Sequence, residues 1–231
     1  MSPDRLRRAL IALGLACLAA GIAMAALFDA GVAHWLEPRV PLRVDLVAWQ
    51  RAIDFVVLKR ISAVSGAVLF LWGYWGWRSG WLATRFVMGW GGLIAASEYS
   101  VDLIKWIAGR ERPVHWLAQG DDASDWLVGG NYSFPSGHAA YYWALVLPVA
   151  IRWPRIGVPL LALSLYVAEQ RVLVLAHHWG DVLASIGIAM LWAAALLPWL
   201  TDRAPSARAA AGGLPRSARA TPSAAASSAP G

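Results

Sequence analysis

The sequence has little cysteine and few charged residues of any kind. Cys17 is its single cysteine, which excludes an intrachain disulfide and a cysteine-rich metal site. Charged residues make up 15% of the 231 residues, whereas hydrophobic residues make up 58%, including 15 tryptophans. An ordinary soluble domain is roughly 45–50% apolar. The composition therefore predicts a membrane protein.

Lysine is almost absent, so the positive charge of the chain comes from arginine. Lys59 and Lys105 are the two lysines among 20 basic residues, and the formal net charge is +6. In a soluble protein this balance would suggest a nucleic-acid partner, but in a membrane protein arginines anchor helix ends at the lipid surface. We therefore expect membrane lipids as partners, and no nucleic acid.

Long apolar runs predict an all-α fold, a polytopic bundle of six transmembrane helices. The first run, 9–28, has no charge over about twenty residues, which is enough to cross a bilayer. A cleaved signal peptide is the alternative for this run, because Ala23-Met24-Ala25 looks like a processing site. The other predicted spans are 61–77, 86–108, 138–153, 156–175 and 182–200.

Two segments outside these runs have their own patterns. Residues 42–57 are amphipathic and predict a helix that lies on the membrane surface or packs over the end of the bundle. Residues 204–231 consist mainly of Ala, Ser, Pro and Arg, which predicts a disordered cytoplasmic tail. The membrane domain is thus expected to occupy residues 1–203.

The arginine distribution predicts the orientation in the membrane. Arginines are concentrated at the N-terminus, in the turns 78–85 and 152–155, and in the tail, which favours a cytoplasmic location for these segments. Basic residues in the first loop of the opposite face mean that this orientation is favoured and not forced. We expect the inner (plasma) membrane of a bacterium, with the candidate site residues at span ends on the extracytoplasmic side.

The third span carries three ionisable residues, Glu98, Asp102 and Lys105, at steps of four and three. This spacing places them on one helical face. Ionisable groups at membrane depth are costly, so this face is a candidate functional surface. The alternative is a structural ion pair between Asp102 and Lys105.

A short polar turn, 132–138, leads directly into the fourth span. Pro135 breaks regular structure, and Gly137 lets the backbone approach a ligand closely. The start of a helix presents unpaired N–H groups and the positive end of its dipole. We expect Ser136, with the amides of Gly137 and His138, to hold a phosphoryl group.

Hydrolysis of a phosphate ester without a metal ion needs cations around the phosphoryl oxygens, a nucleophile and an acid. His177 precedes Asp181 by four residues, so a helical segment would pair the two as a nucleophile and its orienting carboxylate. His138 can protonate the leaving oxygen. The available cations are Lys105, Arg112 and Arg171.

Three motifs contain these residues in a fixed order: Lys105 followed by six residues and Arg112-Pro113, then Pro135-Ser136-Gly137-His138, then Arg171 followed by five residues, His177, three residues and Asp181. The set resembles the signature of the type 2 phosphatidic acid phosphatase family, in its membrane branch. The resemblance covers about residues 86–200. One departure is Gln170, which stands where the third motif of the family usually has serine.

The resemblance implies a six-helix membrane enzyme that acts on lipid phosphates with no metal ion or other cofactor. His177 would form a phosphohistidine, Asp181 would orient it and His138 would protonate the leaving group. The residues implied in phosphate binding are Lys105, Arg112, Ser136, Gly137 and Arg171. Candidate substrates are phosphatidic acid, phosphatidylglycerol phosphate, undecaprenyl diphosphate and a lipid of the lipid A type.

Several alternatives remain at this level. The phosphoryl group could pass to an acceptor lipid, which would make the protein a phosphotransferase, or the chain could be a lipid transporter or scaffold. The related vanadium-dependent haloperoxidases are soluble, which the apolar runs argue against. We interpret His178 as unreactive, Arg110 as a surface residue or loop pair, His34 and His115 as loop residues, and the acidic cluster 121–125 as lacking the spacing of a metal site.

Overall fold

All regular secondary structure in the described part of the chain is helical, which confirms the all-α part of the predicted fold class there. The computed structural model describes residues 2–39, 59–80, 84–128 and 132–201. The predicted amphipathic helix over 42–57 and the predicted tail over 204–231 lie outside these residues. The described helices are α1 Pro3–Leu27, α2 Asp29–Leu36, α3 Lys59–Arg78, α4 Thr84–Ala108, α5 Pro113–Gln119, α6 Gly137–Arg152, α7 Pro154–Leu173, α8 Trp179–Ala195 and α9 Leu197–Leu200, with a 3-10 turn at Glu37–Arg39.

Helix starts follow the local sequence. Proline occupies the first turn of α1, α5 and α7, where its missing N–H has no helical acceptor to lose. Ser2 caps α1 by accepting a hydrogen bond from the Arg5 amide, and Ser136 caps α6 by accepting one from the Ala139 amide.

The structure corrects two expectations from the sequence, one about residues predicted to lie in loops and one about the last apolar run. The polar loop between the third and fourth runs contains the helix α5, so His115 is helical and not a loop residue, and His34 likewise lies within α2. The last run is not continuous, because α8 ends at Ala195 and α9 begins at Leu197. Pro198 has no N–H to donate to the carbonyl four residues earlier, which explains the break.

The predicted polar face of α4 is divided between different environments. Lys105 is buried, whereas Asp102 is exposed. Glu98 accepts a hydrogen bond from the Ser62 hydroxyl at 2.9 Å, which links it to α3. Of the three residues, Lys105 is the one that the fold carries to the candidate site.

Glycines allow the close packing of α1 along α8. A Cβ at Gly21 would lie 2.9 Å from both the Ala184 nitrogen and the Gly180 oxygen, and one at Gly187 would lie 2.7 Å from the Gly14 oxygen. Elsewhere α3 packs on α4, and α6 contacts α4, α7 and α8. The start of α6 is therefore surrounded by the ends of other helices.

Apolar helices in the described residues support membrane association. By length and composition, α1 and α7 can each cross a membrane, and α8 is a shorter apolar helix. Large apolar side chains on the outer faces of α3 and α7 are exposed, including Val64, Leu71, Trp75, Ile156 and Leu165.

Candidate active site

The residues of the three sequence motifs lie at neighbouring helix ends. Lys105 is in the last turn of α4, Arg112 precedes α5, and Arg171 is in the last turn of α7. Backbone hydrogen bonds join these ends: the Ser136 amide donates to the Asp181 carbonyl at 3.1 Å, and the His177 amide donates to the Arg171 carbonyl at 3.1 Å.

His177 lies in the connection between α7 and α8, which turns sharply at Leu175. Leu175 has a positive φ of 55°, a left-handed conformation that is unfavourable for a residue other than glycine. Its side chain is buried in the core, and the turn lets the amides of Ala176 and His177 both donate to the Arg171 carbonyl. Core packing thus offsets the local strain and sets the position of His177.

His177 and Asp181 meet, but not as neighbours on one helical face. His177 precedes α8, whereas Asp181 is in its first turn and reaches back to accept from the His178 amide at 2.8 Å. His177 Nδ1 lies 3.5 Å from Asp181 Oδ2. The expectation that a helical segment pairs these residues was therefore wrong in its geometry, although the pair itself forms. Nε2 is on the opposite edge of the ring from this contact.

Burial lowers the pKa of His177 well below its usual value. The charges of Arg112 and Lys105 act in the same direction, while the hydrogen bond and the charge of Asp181 oppose them. His177 is therefore neutral at pH 7, which is the form that a nucleophile requires.

His178 uses both of its ring nitrogens in contacts with buried residues. Nδ1 lies 3.3 Å from Asp181 Oδ2, and Nε2 lies 3.3 Å from Nε1 of Trp116. An indole N–H can only donate, so Nε2 of His178 is the acceptor and Nδ1 carries the proton that faces Asp181. Because both ring nitrogens are engaged in these contacts, His178 is not placed to act as the nucleophile.

The start of α6 lies beside the Lys105 ammonium group. A Cβ added to Gly137 would be 3.3 Å from Lys105 Nζ, so the glycine leaves room for this cation. Ser136 is fully buried and His138 is half-buried in the first turn. The Ser185 hydroxyl donates to the Ser136 carbonyl and is also within 2.8 Å of the Asp181 carbonyl, which ties α6 to α8.

Four residues that the sequence reasoning did not place in the site surround Asp181. Ser133 Oγ makes a short hydrogen bond to Asp181 Oδ2, and Trp116 holds His178. Arg110 Nη1 bridges Asp181 Oδ1 at 2.7 Å and Asp29 Oδ2 at 2.9 Å. Arg110 is 1% exposed, so the first half of its interpretation, a surface residue, was wrong, whereas the second half, a loop residue in an ion pair, is confirmed. Ser133 lies within the polar turn 132–138, so its place in the sequence could have pointed to it. No local pattern connects Asp29 to the site.

Asp29, His178 and Asp181 have possible metal-ligand atoms within 4.8 Å of one another. The Arg110 guanidinium bridges the two carboxylates, so their charge is already partly neutralised by a fixed cation. A divalent ion at this position would face that cation directly. The group is better described as an ion-pair network than as a metal site.

Comparison with known proteins agrees with the geometry. Residues 86–205, just over half of the chain, match the PAP2 superfamily. The chain belongs to the PAP2 superfamily, which confirms the resemblance seen in the three motifs. No solved structure matches the chain.

Curated relatives carry phosphatase names. The chain is 32% identical over 143 residues to a lipid A 1-phosphatase of Rhizobium etli, which covers 61% of this chain and 56% of the relative. It is 30% identical over 142 residues to phospholipid phosphatase 1 of Rattus norvegicus, which covers 47% of this chain and 49% of the relative. The chain thus spans about half the length of these relatives. Their names agree with the expected class of phosphoric ester hydrolase.

Proposed function

We propose that this protein is a membrane-embedded lipid phosphatase that works through a phosphohistidine on His177. The observation that carries the proposal is the buried His177–Asp181 pair, 3.5 Å apart, in the field of Lys105 and Arg112. Nothing in helix packing requires a neutral histidine beside a buried carboxylate and two cations. Membership in the PAP2 superfamily supports the same reading.

The proposed reaction has two steps. Nε2 of His177 attacks phosphorus while the bond to the lipid oxygen breaks, and His138 gives its proton to that leaving oxygen. Water then attacks the phosphohistidine, His138 takes a proton from the water, and inorganic phosphate and free His177 are released. Asp181 holds the imidazole through Nδ1 and stabilises the positive charge that develops on it.

Phosphate binding is assigned to five residues around the start of α6. Fixed cations and N–H donors stabilise the charge that spreads over the equatorial oxygens in the transition state. Ser136 provides its hydroxyl and Gly137 its amide at the helix start, where first-turn amides have no helical acceptor. The cations are Lys105, Arg112 and Arg171.

The helix order supports a membrane arrangement with six crossings. We assign six crossings to α1, α3, α4, α6, α7 and the α8–α9 pair, with the domain extending over residues 1–203. The exposed apolar side chains of α3 and α7 would then face lipid. With the arginine-rich ends in the cytoplasm, the site opens at the extracytoplasmic face of a bacterial inner membrane.

The substrate is assigned only to the class of lipid phosphates. The relative named lipid A 1-phosphatase supports a glycolipid phosphate, and the relative named phospholipid phosphatase 1 supports a glycerophospholipid. Undecaprenyl diphosphate also presents a terminal phosphoryl group at a membrane surface, but there the bond that breaks is the phosphoanhydride, and the lipid monophosphate is the leaving group. The chemistry of the site is common to all three.

The test is phosphate release by the purified full-length protein in detergent, with EDTA present, from phosphatidic acid, undecaprenyl diphosphate and lipid A. We expect release from at least one lipid, and its loss in His177→Ala. Release that is unchanged in His177→Ala would contradict the nucleophile, and loss of release on adding EDTA would contradict the metal-free mechanism. Product formation only when an acceptor lipid is supplied would show a phosphotransferase instead.

A further inference from the structure

Asp29 is a buried carboxylate outside the region that matches the PAP2 superfamily. It begins α2, is 2% exposed, and lies far in sequence from the matched residues 86–205. A buried charge is costly unless it is paired and hydrogen-bonded. Asp29 meets this requirement through two partners, the Arg110 guanidinium and the backbone amide of Gly180.

Arg110 connects Asp29 to the catalytic carboxylate. A single nitrogen, Nη1, lies 2.9 Å from Asp29 Oδ2 and 2.7 Å from Asp181 Oδ1. The same guanidinium donates from Nε to Ser124 Oγ at 3.2 Å and lies over the ring of Trp126. Arg110 is thus held from several sides, and its positive charge is shared between Asp29 and Asp181.

The second contact of Asp29 is at the beginning of α8. The Gly180 amide donates to Asp29 Oδ1 at 3.1 Å and to Oδ2 at 3.2 Å. First-turn amides of a helix need an acceptor from outside the helix, and a negative charge there is favoured by the helix dipole. A Cβ at Gly180 would lie 2.5 Å from Asp29 Oδ2, so glycine at this position admits the carboxylate. Asp181 follows directly in the chain.

We propose, resting on the function proposed above, that Asp29 is a positioning residue that keeps Asp181 able to orient His177. With Asp29 present, Arg110 divides its positive charge between two carboxylates. Without it, the full charge of Arg110 would act on Asp181 and weaken the hydrogen bond that His177 Nδ1 donates to the Asp181 carboxylate. The N-terminal segment therefore contributes to the catalytic centre from outside the matched region.

The charge balance gives the proposal a sign. The charges of Asp181, Arg112 and Lys105 act directly on His177. Arg110 and Asp29 lie behind Asp181. The other ionisable residues at the neighbouring helix ends are His178 at the start of α8, Arg171 in the last turn of α7 and His138 in the first turn of α6. Removing the negative charge of Asp29 disfavours protonated His177, whereas removing the positive charge of Arg110 favours it. Removing both restores the net charge.

The experiment follows His177 by two independent readouts. One is the pH dependence of the ring ¹⁵N chemical shifts of His177 in the intact protein, measured by NMR, which report the fraction of neutral imidazole. The other is the pH profile of kcat for lipid phosphate hydrolysis. In Asp29→Asn we expect the midpoint to fall by roughly one pH unit and kcat to fall roughly 10- to 100-fold, with little change in KM. In Arg110→Gln the midpoint should rise, and the double variant should return toward wild type.

Controls separate positioning from folding and from the proposed function. Asp29→Glu keeps the charge and should keep the wild-type midpoint, and Asp4→Asn removes an exposed carboxylate of α1 and should change nothing. If Arg110→Gln does not fold, the contrast between Asp29→Asn and Asp29→Glu decides. Equal midpoints in wild type and folded Asp29→Asn would overturn the inference. If the wild-type protein showed no phosphatase activity but the His177 midpoint still fell in Asp29→Asn, only the proposed function would be contradicted.

Discussion

The indole Nε1 of Trp116 donates a hydrogen bond to Nε2 of His178 over 3.3 Å, and the two ring planes are nearly parallel, at an interplanar angle of 5°. This contact distinguishes two adjacent histidines. Nδ1 of His178 faces Asp181 and Nε2 faces Trp116, which supports the proposal that His177 and not His178 is the nucleophile.

Substitution of the two histidines should therefore have different effects. His177→Ala should reduce phosphate release by at least about 1000-fold, because it removes the nucleophile. His178→Gln should reduce it by no more than about tenfold, because the backbone amide at 178 still donates to Asp181. The measurement is incorporation of label from a ³²P-labelled lipid into an acid-labile phosphoenzyme. A labelled His177→Ala protein would contradict the assignment.

The lowered pKa of His177 predicts how activity and stability depend on pH. The acid limb of kcat/KM should lie below the ordinary histidine value of 6.5, since burial keeps His177 neutral. In the unfolded chain His177 binds a proton near pH 6.5, whereas in the folded protein it does so only at lower pH. Its contribution to stability is thus complete above pH 6.5 and is lost as the pH falls from 6.5 toward the lower folded value.

Thermal unfolding in detergent across this pH range measures the effect. His177→Gln has no such group, so its melting temperature should fall less steeply below pH 6.5 than that of wild type. Identical slopes for the two proteins would show that the pKa of His177 is the same in the folded and unfolded states.

The close packing of α1 on α8 predicts that Gly21 does not tolerate a side chain. In Gly21→Ala the new Cβ would lie 2.9 Å from backbone atoms of Gly180 and Ala184, which cannot move independently of α8. We expect a loss of about 1–3 kcal/mol in unfolding free energy. Gly31→Ala is the matched control, because no atom of the described residues lies within 4 Å of its Cβ, and it should be neutral or stabilising by up to about 1 kcal/mol. Equal melting temperatures for the two variants would contradict the packing.

Gly137 predicts an effect on substrate binding. In Gly137→Ala the Cβ would approach Lys105 Nζ to 3.3 Å, so the ammonium group must shift away from the helix start. Because Lys105 is assigned to phosphate binding, KM should rise about two- to tenfold while the melting temperature is retained. Gly92→Ala in α4 serves as the control, because its Cβ would make an ordinary contact of 3.7 Å with Leu196 Cδ1. An unchanged KM in Gly137→Ala would contradict the assignment of Lys105 to phosphate binding.

Local patterns in the sequence predicted much of the helical structure. The apolar runs locate α3, α4, α6 and α7 to within a few residues, because period and length are local properties of the chain. The same runs missed α5 and the break before α9, where short helices and a single proline leave a weak signal. The number of six membrane crossings stays a prediction.

The motif spacing singled out candidate site residues without showing how they meet. His177 and Asp181 are four residues apart, and a helical pair was the natural expectation. The left-handed turn at Leu175 instead places His177 before α8, where the first-turn carboxylate reaches back to it. The residue types in this segment do not predict such a turn, because it is stabilised by burial of the Leu175 side chain and not by glycine.

By itself, the sequence determined that this is a helical membrane-associated protein of the PAP2 superfamily and which histidines, cations and carboxylate its motifs contain. Only the tertiary structure decided that Asp29 and Arg110 belong to the same centre. Asp29 is 81 positions from Arg110 and 151 positions from Gly180. Contacts at such separations depend on how α1, α2 and α8 pack, and neither periodicity nor spacing within one segment encodes them.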